Sequence, residues 1–199
     1  MEEKLSEAAL KMCEGEIVIF PTDTVYGLGV SLYSEKGVEK IFSLKKRSED
    51  KPLAILIACL DDLEGIVSEY SDDFLKLYET FFPGPLTVLL PMTDALKCSR
   101  FYSNTPFIGV RSPDHPIPLA LIKKLGHPIV ATSVNYSGIS PEKDLTDIPE
   151  TIKEQAAVIF EDDESIKGVP STVISLTPLK ILRAGIITKQ QINFALYRK

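Results

Sequence analysis

Five cationic side chains stand where chemistry could be done: Lys45, Arg47, Lys51, Arg111 and Arg183. Near them lie short runs of oxygen-bearing residues: Thr22 and Thr24 in Thr-Asp-Thr, Ser133 and Asn135 in Ser-Val-Asn, and Ser171 in Ser-Thr-Val. Few carboxylates accompany them besides Asp23. Arginine forks pair two-pointed with carboxylate or phosphate, and lysine adds a point charge. Serine, threonine and asparagine orient the oxygens that remain. Each cluster alone has an ordinary explanation, such as a polar turn after a strand or a lysine whose ammonium reaches water. Gathered at one place, they suit a polyanionic ligand.

Other chemistries lack their parts. The sequence holds no G-x-x-x-x-G-K-[ST] phosphate loop, and Gly27-Leu28-Gly29 lacks the third glycine of a dinucleotide fingerprint. No G-x-S-x-G nucleophile elbow occurs. His115 and His127 each adjoin a proline and read as surface or turn residues, not as catalytic bases. Cys13, Cys59 and Cys98 are odd in number and form no C-x-x-C pair, which argues against zinc and against a disulfide framework.

The elements that must carry these groups follow from periodicity. Ile17 to Phe20 is a short buried strand stopped by Pro21, with hydroxyls at its carboxyl end; Gly27 and Gly29 then read as loop glycines that let the backbone approach a ligand. Residues 3–14 and 35–46 have helical spacing. In the second of these Lys45 falls seven residues after Val38, on the apolar face, while Lys46 turns to water. An apolar run covers 53–58, and Asp61 with Glu64 marks a short helix. Ser71 caps a longer helix, which Pro83-Gly84-Pro85 ends. Residues 86–90 are strand, and 92–105 show no period and read as an irregular loop. Phe107–Val110 is strand with Arg111 at its end; residues 117–125 are helical. Pro128–Ala131 is a strand ending in Ser133-Val134-Asn135. A weak helix at 150–156, a strand at 157–160, a solvated acidic run at 161–164, two strands at 171–175 and 180–182, and a helix capped by Thr188 and Gln191 complete the chain. No repeat or linker-like boundary appears. The expectation is a single α/β domain over residues 1–199, an open twisted sheet of mixed parallel and antiparallel strands with flanking helices. Ligands of such sheets bind beyond the carboxyl ends of strands, where the polar clusters fall.

Composition narrows the partners. The chain has 199 residues, 44% hydrophobic and 25% charged, as ordinary globular proteins do. Its longest apolar run, Leu53 to Leu60, is too short to cross a membrane, and the amino terminus has no apolar signal core. A cytoplasmic location is expected. A net charge of −6 disfavours a surface that grips nucleic acid throughout, yet allows a basic cavity inside an acidic shell.

Seven stretches carry a resemblance. PTDTVYGLG at 21–29, KKRSEDKPL at 45–53, FPGPLT at 82–87, GVRSPDHP at 109–116, ATSVNYSG at 131–138, PSTV at 170–173 and LRAG at 182–185 occur in this order. Together they resemble the YrdC-type threonylcarbamoyl-adenylate synthases, from about residue 5 to 195. Ser48 and Ala184 stand where the family usually has proline, and Ser175 where an acid is common.

The resemblance implies an open twisted sheet around a deep, positively charged cavity, in a single-domain form. It implies a nucleotidyltransferase that turns L-threonine, bicarbonate and ATP into threonylcarbamoyl-AMP and pyrophosphate, the first step of the threonylcarbamoyladenosine modification of tRNA. The family's lysine–arginine pair falls on Lys45 and Arg47, taken as catalytic and as holding the carbamate and phosphates. Thr22, Thr24, Lys51, Arg111 and Ser171 are assigned to threonine and bicarbonate, with Arg111 on the threonine carboxylate. Ser133, Asn135 and Arg183, with Lys45 and Arg47, are assigned to the nucleotide. Mg²⁺ is expected with ATP although no carboxylate ligand set is visible. A downstream threonylcarbamoyl transferase or tRNA is the expected recipient of the product. The competing reading is a non-catalytic RNA-binding module with a basic cavity.

Overall fold

The computed structural model describes residues 1–46, 53–97, 99, 101–102, 105–139, 141 and 143–198. Among them, nine strands form one sheet: β1 (Ile17–Phe20), β2 (Gly27–Ser31), β3 (Ala54–Leu56), β4 (Leu86–Pro91), β5 (Phe107–Arg111), β6 (Ile129–Ser133), β7 (Ala156–Ile159), β8 (Thr172–Leu176) and β9 (Leu179–Arg183). Their order across the sheet is β7-β1-β2-β6-β3-β5-β4-β8-β9. The pairs β1–β7, β3–β5 and β4–β8 are parallel and the others antiparallel, so the sheet is mixed, as expected. The helices are α1 (Glu2–Cys13), α2 (Glu35–Lys45), α3 (Asp72–Phe81), α4 (Asp94–Lys97), α5 (Pro116–Leu125), α6 (Glu150–Lys153) and α7 (Lys189–Tyr197). None is long and apolar enough to cross a membrane.

Side chains alternate across each strand, so the two sheet faces carry separate apolar clusters. On one face Val38, Ile41 and Phe42 of α2, Phe74 and Leu77 of α3 and Ile192 and Leu196 of α7 pack on Ile19, Leu28, Ile55, Val88, Val110 and Val130. On the other, Leu5, Ala8 and Met12 of α1 and Leu121 and Ile122 of α5 pack on Val18, Phe20, Ile129 and Ala131. Each such Leu or Ile contributes about 1.5–3 kcal/mol relative to an exposed one. On this second face α1 and α5 cover the β1-β2-β6 side. Further along, Ala54 of β3, Gly109 of β5, Thr87 of β4 and Val173 of β8 line a cavity.

Five local expectations are corrected. Gly27 and Gly29 lie inside β2, not in a loop. A Cβ on Gly27 would sit 2.6 Å from Phe20 Cε2, and one on Gly29 would sit 2.7 Å from Ile129 Cγ2 and 2.9 Å from Phe20 Cε1. Those glycines make room for a buried phenyl ring. The turn expected to begin at Asp61 is a 3₁₀ turn over Leu60–Leu63, and Asp62 Oδ2 accepts from the N–H groups of Ala58 (2.6 Å) and Cys59 (3.2 Å). His115 is buried and is the N-cap of α5, its Nδ1 accepting from Ile117 N at 3.2 Å. The segment expected to be wholly irregular contains α4. The 161–164 run is also more than a solvated loop. Asp163 Oδ1 accepts from Tyr26 Oη at 2.6 Å and from Leu145 N at 3.0 Å, and Asp162 Oδ2 lies 3.2 Å from His115 Nε2.

Candidate functional site

The turn between β1 and β2 builds one wall. Thr22 Oγ1 accepts from the N–H groups of Thr24 (3.1 Å) and Val25 (3.3 Å) and donates to Val25 O at 2.6 Å. Its only hydroxyl hydrogen is then used, so Thr24 Oγ1 is the donor in the 2.9 Å contact between the two hydroxyls. Thr24 Oγ1 in turn accepts from Arg111 Nη1 at 2.8 Å. A directed chain runs Arg111, Thr24, Thr22, Val25 carbonyl. Both threonine hydrogens are committed inside the protein, which leaves these hydroxyls little to donate to a ligand.

Arg111, the last residue of β5, is buried where the sheet carries it beside Leu56. Its Nε donates to Gly84 O at 3.0 Å, and its Nη2 donates to Asp23 Oδ1. Burial lowers the pKa of the guanidinium, Asp23 opposes that, and Arg183 lowers it further. The last influence means that two guanidiniums repel each other across the site. An anion placed near both relieves that repulsion.

Arg183 closes β9. The register Val173↔Arg183 and Thr87↔Val173 lines it up with β4 and β8. Its Nε and Nη2 donate to Ser171 O at 3.1 and 3.0 Å, and Nη2 also donates to Ser171 Oγ at 2.9 Å. Burial of the head group lowers its pKa. Ser171 Oγ lies 2.8 Å from Thr87 Oγ1, and either can donate. Two hydroxyl hydrogens serve one contact, so one remains for a ligand. This is the hydroxyl pair with a hydrogen to spare.

These groups surround a cavity of about 270 Å³, lined by Thr22, Thr24, Arg111, Ser133, Ser171 and Arg183 among others. Its floor is made of small residues: Ala54, Thr87, Gly109 and Ala131. A Cβ on Gly109 would lie 3.1 Å from Thr87 Cγ2 and 3.4 Å from Ala54 Cβ. The residues between 168 and 171 reach the wall because Gly168 N donates to Thr24 O at 2.8 Å. Tyr26 fastens the stretch that precedes this segment, donating to Asp163 Oδ1 and accepting from Asp162 N at 3.0 Å. Burial, then Asp163, push the Tyr26 phenol's pKa up.

Lys45 lies on the inward face of α2, as the helical spacing predicts, and is 2% exposed. Its ammonium does not line the cavity. It donates to Asn135 O at 2.6 Å, to Asn135 Oδ1 at 2.9 Å and to Ser133 O, and so fastens the turn after β6 from behind. In that turn Ser133 Oγ donates to Asn135 Oδ1 at 2.5 Å. Arg47 and Lys51 lie outside the described residues. Of the predicted site residues, Thr22, Thr24, Arg111, Ser133, Ser171 and Arg183 come together on one cavity; Lys45 and Asn135 lie beside it.

Sequence reading missed Thr87, Gly109 and the part played by Asp23. A signal for Thr87 existed: Leu86, Val88 and Leu90 alternate with Thr87 and Leu89, which marks a second face with a hydroxyl on it. Among the described residues no group of three His, Cys, Asp or Glu side chains could hold a metal ion, and no carboxylate lines the cavity. The described residues do not fit a protein-held Mg²⁺.

A mixed sheet that brings two guanidiniums and a hydroxyl pair to one cavity at its strand ends defines the class, an α/β protein with a cationic cleft. The chain belongs to the Sua5/YciO/YrdC family, whose model, described as telomere recombination, matches residues 11–185. It is similar to the threonylcarbamoyl-AMP synthase of Bacillus subtilis (strain 168), at 36% identity over 193 residues, covering 96% of this chain and 56% of the relative. The threonylcarbamoyl-AMP synthase of Pyrococcus abyssi is 37% identical over 194 residues, covering 96% of this chain and 57% of the relative. The crystal structure of P. abyssi Sua5 complexed with L-threonine superposes with a TM-score of 0.91 at 36% identity, over 98% of this chain and 58% of that one. The chain thus spans a little over half the length of these relatives.

Proposed function

We propose that this chain makes threonylcarbamoyl-AMP and pyrophosphate from L-threonine, bicarbonate and ATP, as the resemblance implies. The observation that carries the reading is the convergence of Arg111 and Arg183 on one small cavity, in a chain that superposes on a threonine-bound relative. The chemistry asks for such a place. The threonine amine attacks the bicarbonate carbon with loss of water, giving a carbamate. A carbamate oxygen then attacks the α-phosphorus of ATP, the bond to the β-phosphate oxygen breaks, and pyrophosphate leaves. Two anions must be brought together, and fixed cations lower that barrier.

In this reading Arg111 takes the threonine carboxylate with the two N–H groups left after its bonds to Gly84, Thr24 and Asp23. The spare hydrogen of the Thr87–Ser171 pair meets the threonine hydroxyl. The cavity is slightly smaller than the roughly 300 Å³ at the lower end of small-molecule pockets, a size for an amino acid and its carbamate. The nucleotide extends past Ser133, Asn135 and Arg183. Lys45 serves it by holding the Ser133–Asn135 turn; direct use of its ammonium on phosphates requires one of those carbonyls to be released. Arg47 and Lys51 retain the roles the resemblance gives them, on the carbamate and phosphates and on the threonine side. Mg²⁺ would travel on the nucleotide's phosphates and supply charge neutralisation there. The adenylate passes to a threonylcarbamoyl transferase acting on tRNA.

The test is pyrophosphate release from ATP with threonine and bicarbonate supplied together or singly. Release is expected only with both, and release that ignores threonine overturns the reading. Replacing threonine by serine or valine sharpens it. One missing methyl costs about 10–200-fold in kcat/KM, whereas a missing hydroxyl that leaves polar groups unpaired costs roughly 10⁴-fold. Serine should therefore be a weak substrate and valine nearly inert.

A further inference from the structure

Asp23 has no contact with the cavity and meets it only through Arg111. It is 4% exposed and is not among the residues lining the cavity. Its Oδ1 accepts from Arg111 Nη2 and from Asp114 N at 3.0 Å, joining the β1–β2 turn, the end of β5 and the turn before α5. Its Oδ2 is fully buried and has no hydrogen-bond partner among the described residues. A buried carboxylate oxygen left single is costly, and such cases ask for an explanation. Substrate contact is not the explanation, because Oδ2 is closed to solvent. What the carboxylate does touch is Arg111. A guanidinium so buried would otherwise lose part of its preference for the charged form, and would be held only by the neutral oxygens of Gly84 and Thr24.

We propose that Asp23 is a positioning residue that acts through Arg111: it locks the guanidinium in the plane that presents two N–H groups to the carboxylate of an α-amino acid. Three anchors define that plane, Gly84 O on Nε, Thr24 Oγ1 on Nη1 and Asp23 Oδ1 on Nη2. Asp23 is the one that is charged, and it supplies direction at a cost in net positive charge. Without it the guanidinium keeps only two neutral anchors and presents its remaining N–H groups to a carboxylate less well. The inference rests on the proposed place of threonine at Arg111.

The experiment uses Asp23→Asn, which keeps an oxygen for Asp114 N and Arg111 and removes the charge. Pyrophosphate release by the full chain is measured against threonine at saturating ATP and against ATP at saturating threonine. The expected result is a threonine KM at least tenfold higher, an ATP KM within about threefold, and little effect of Asp23→Asn when added to Arg111→Lys. A merely structural role lowers kcat at unchanged KM, or raises both KM values alike, and either result overturns the proposal, as does full additivity with Arg111→Lys. Should Asp23→Asn not fold, Asp23→Glu displaces the charge by one methylene and must show the same threonine-specific rise; failure of both to fold assigns Asp23 to the fold and overturns the proposal. Calorimetric titration of L-threonine separates the two levels. Wild type that binds no threonine removes the underlying reading and this inference with it. Wild type and Asp23→Asn that bind threonine equally remove the inference alone.

Discussion

Replacing Lys45 by Met should destabilise the protein by about 3 kcal/mol and loosen the nucleotide side of the site together. Methionine has similar length and similar helix propensity, so α2 itself is little disturbed. The ammonium donates to Ser133 O, Asn135 O and Asn135 Oδ1. Hydrogen bonds from a charged donor contribute about 1.5–3 kcal/mol each. Their sum overstates the loss, because Met also removes the several kcal/mol that it costs to bury an ammonium. It is further reduced because Ser133 and Asn135 are half-buried and water reaches part of the turn. About 3 kcal/mol is what remains, and for a chain of this length it lowers Tm by roughly 6–12 °C. Urea unfolding should show a lower midpoint at unchanged slope. ATP titration of the folded variant should show affinity about tenfold weaker, since the Ser133–Asn135 turn loses its fastening. A Lys45→Met protein within about 0.5 kcal/mol of wild type would falsify the clamp and return the ammonium to the ligand.

Gly27→Ala should cost about 1–3 kcal/mol by overpacking, because the new methyl would lie 2.6 Å from Phe20 Cε2; a variant of wild-type stability with weakened substrate binding would instead favour a glycine kept for ligand approach. Gly109→Ala should change the unfolding free energy by no more than about 1.5 kcal/mol, since Thr87 and Ala54 have only to give slightly, while threonine affinity falls as the cavity floor rises. Calorimetry with threonine reads the second effect, and undiminished affinity would show that the cavity is not the amino-acid site.

What the sequence determined by itself was whatever depends on neighbours a few residues apart. The helical period put Lys45 on the buried face of α2 and Lys46 in water, and both are found so. Thr188 and Gln191 announced the cap of α7, and the short apolar runs announced most strands. The resemblance of seven spaced stretches named the family that the whole-chain comparison bears out. Tertiary structure decided the rest, because it depends on residues brought together across the sheet. Arg111 meets Asp23 across 88 positions and Thr24 across 87. That meeting turns a free cation into an anchored one. Gly27 and Gly29 read as loop until Phe20, folded back across the antiparallel β1–β2 ladder, takes the space a side chain would need. Periodicity could point Lys45 inward but not say what its ammonium would find there, since the answer lies 88 and 90 residues away in the carbonyls of Ser133 and Asn135. Hydrogen bonds are short-ranged and directional, so their partners are set by strand register and loop closure, which no local pattern of residue types specifies.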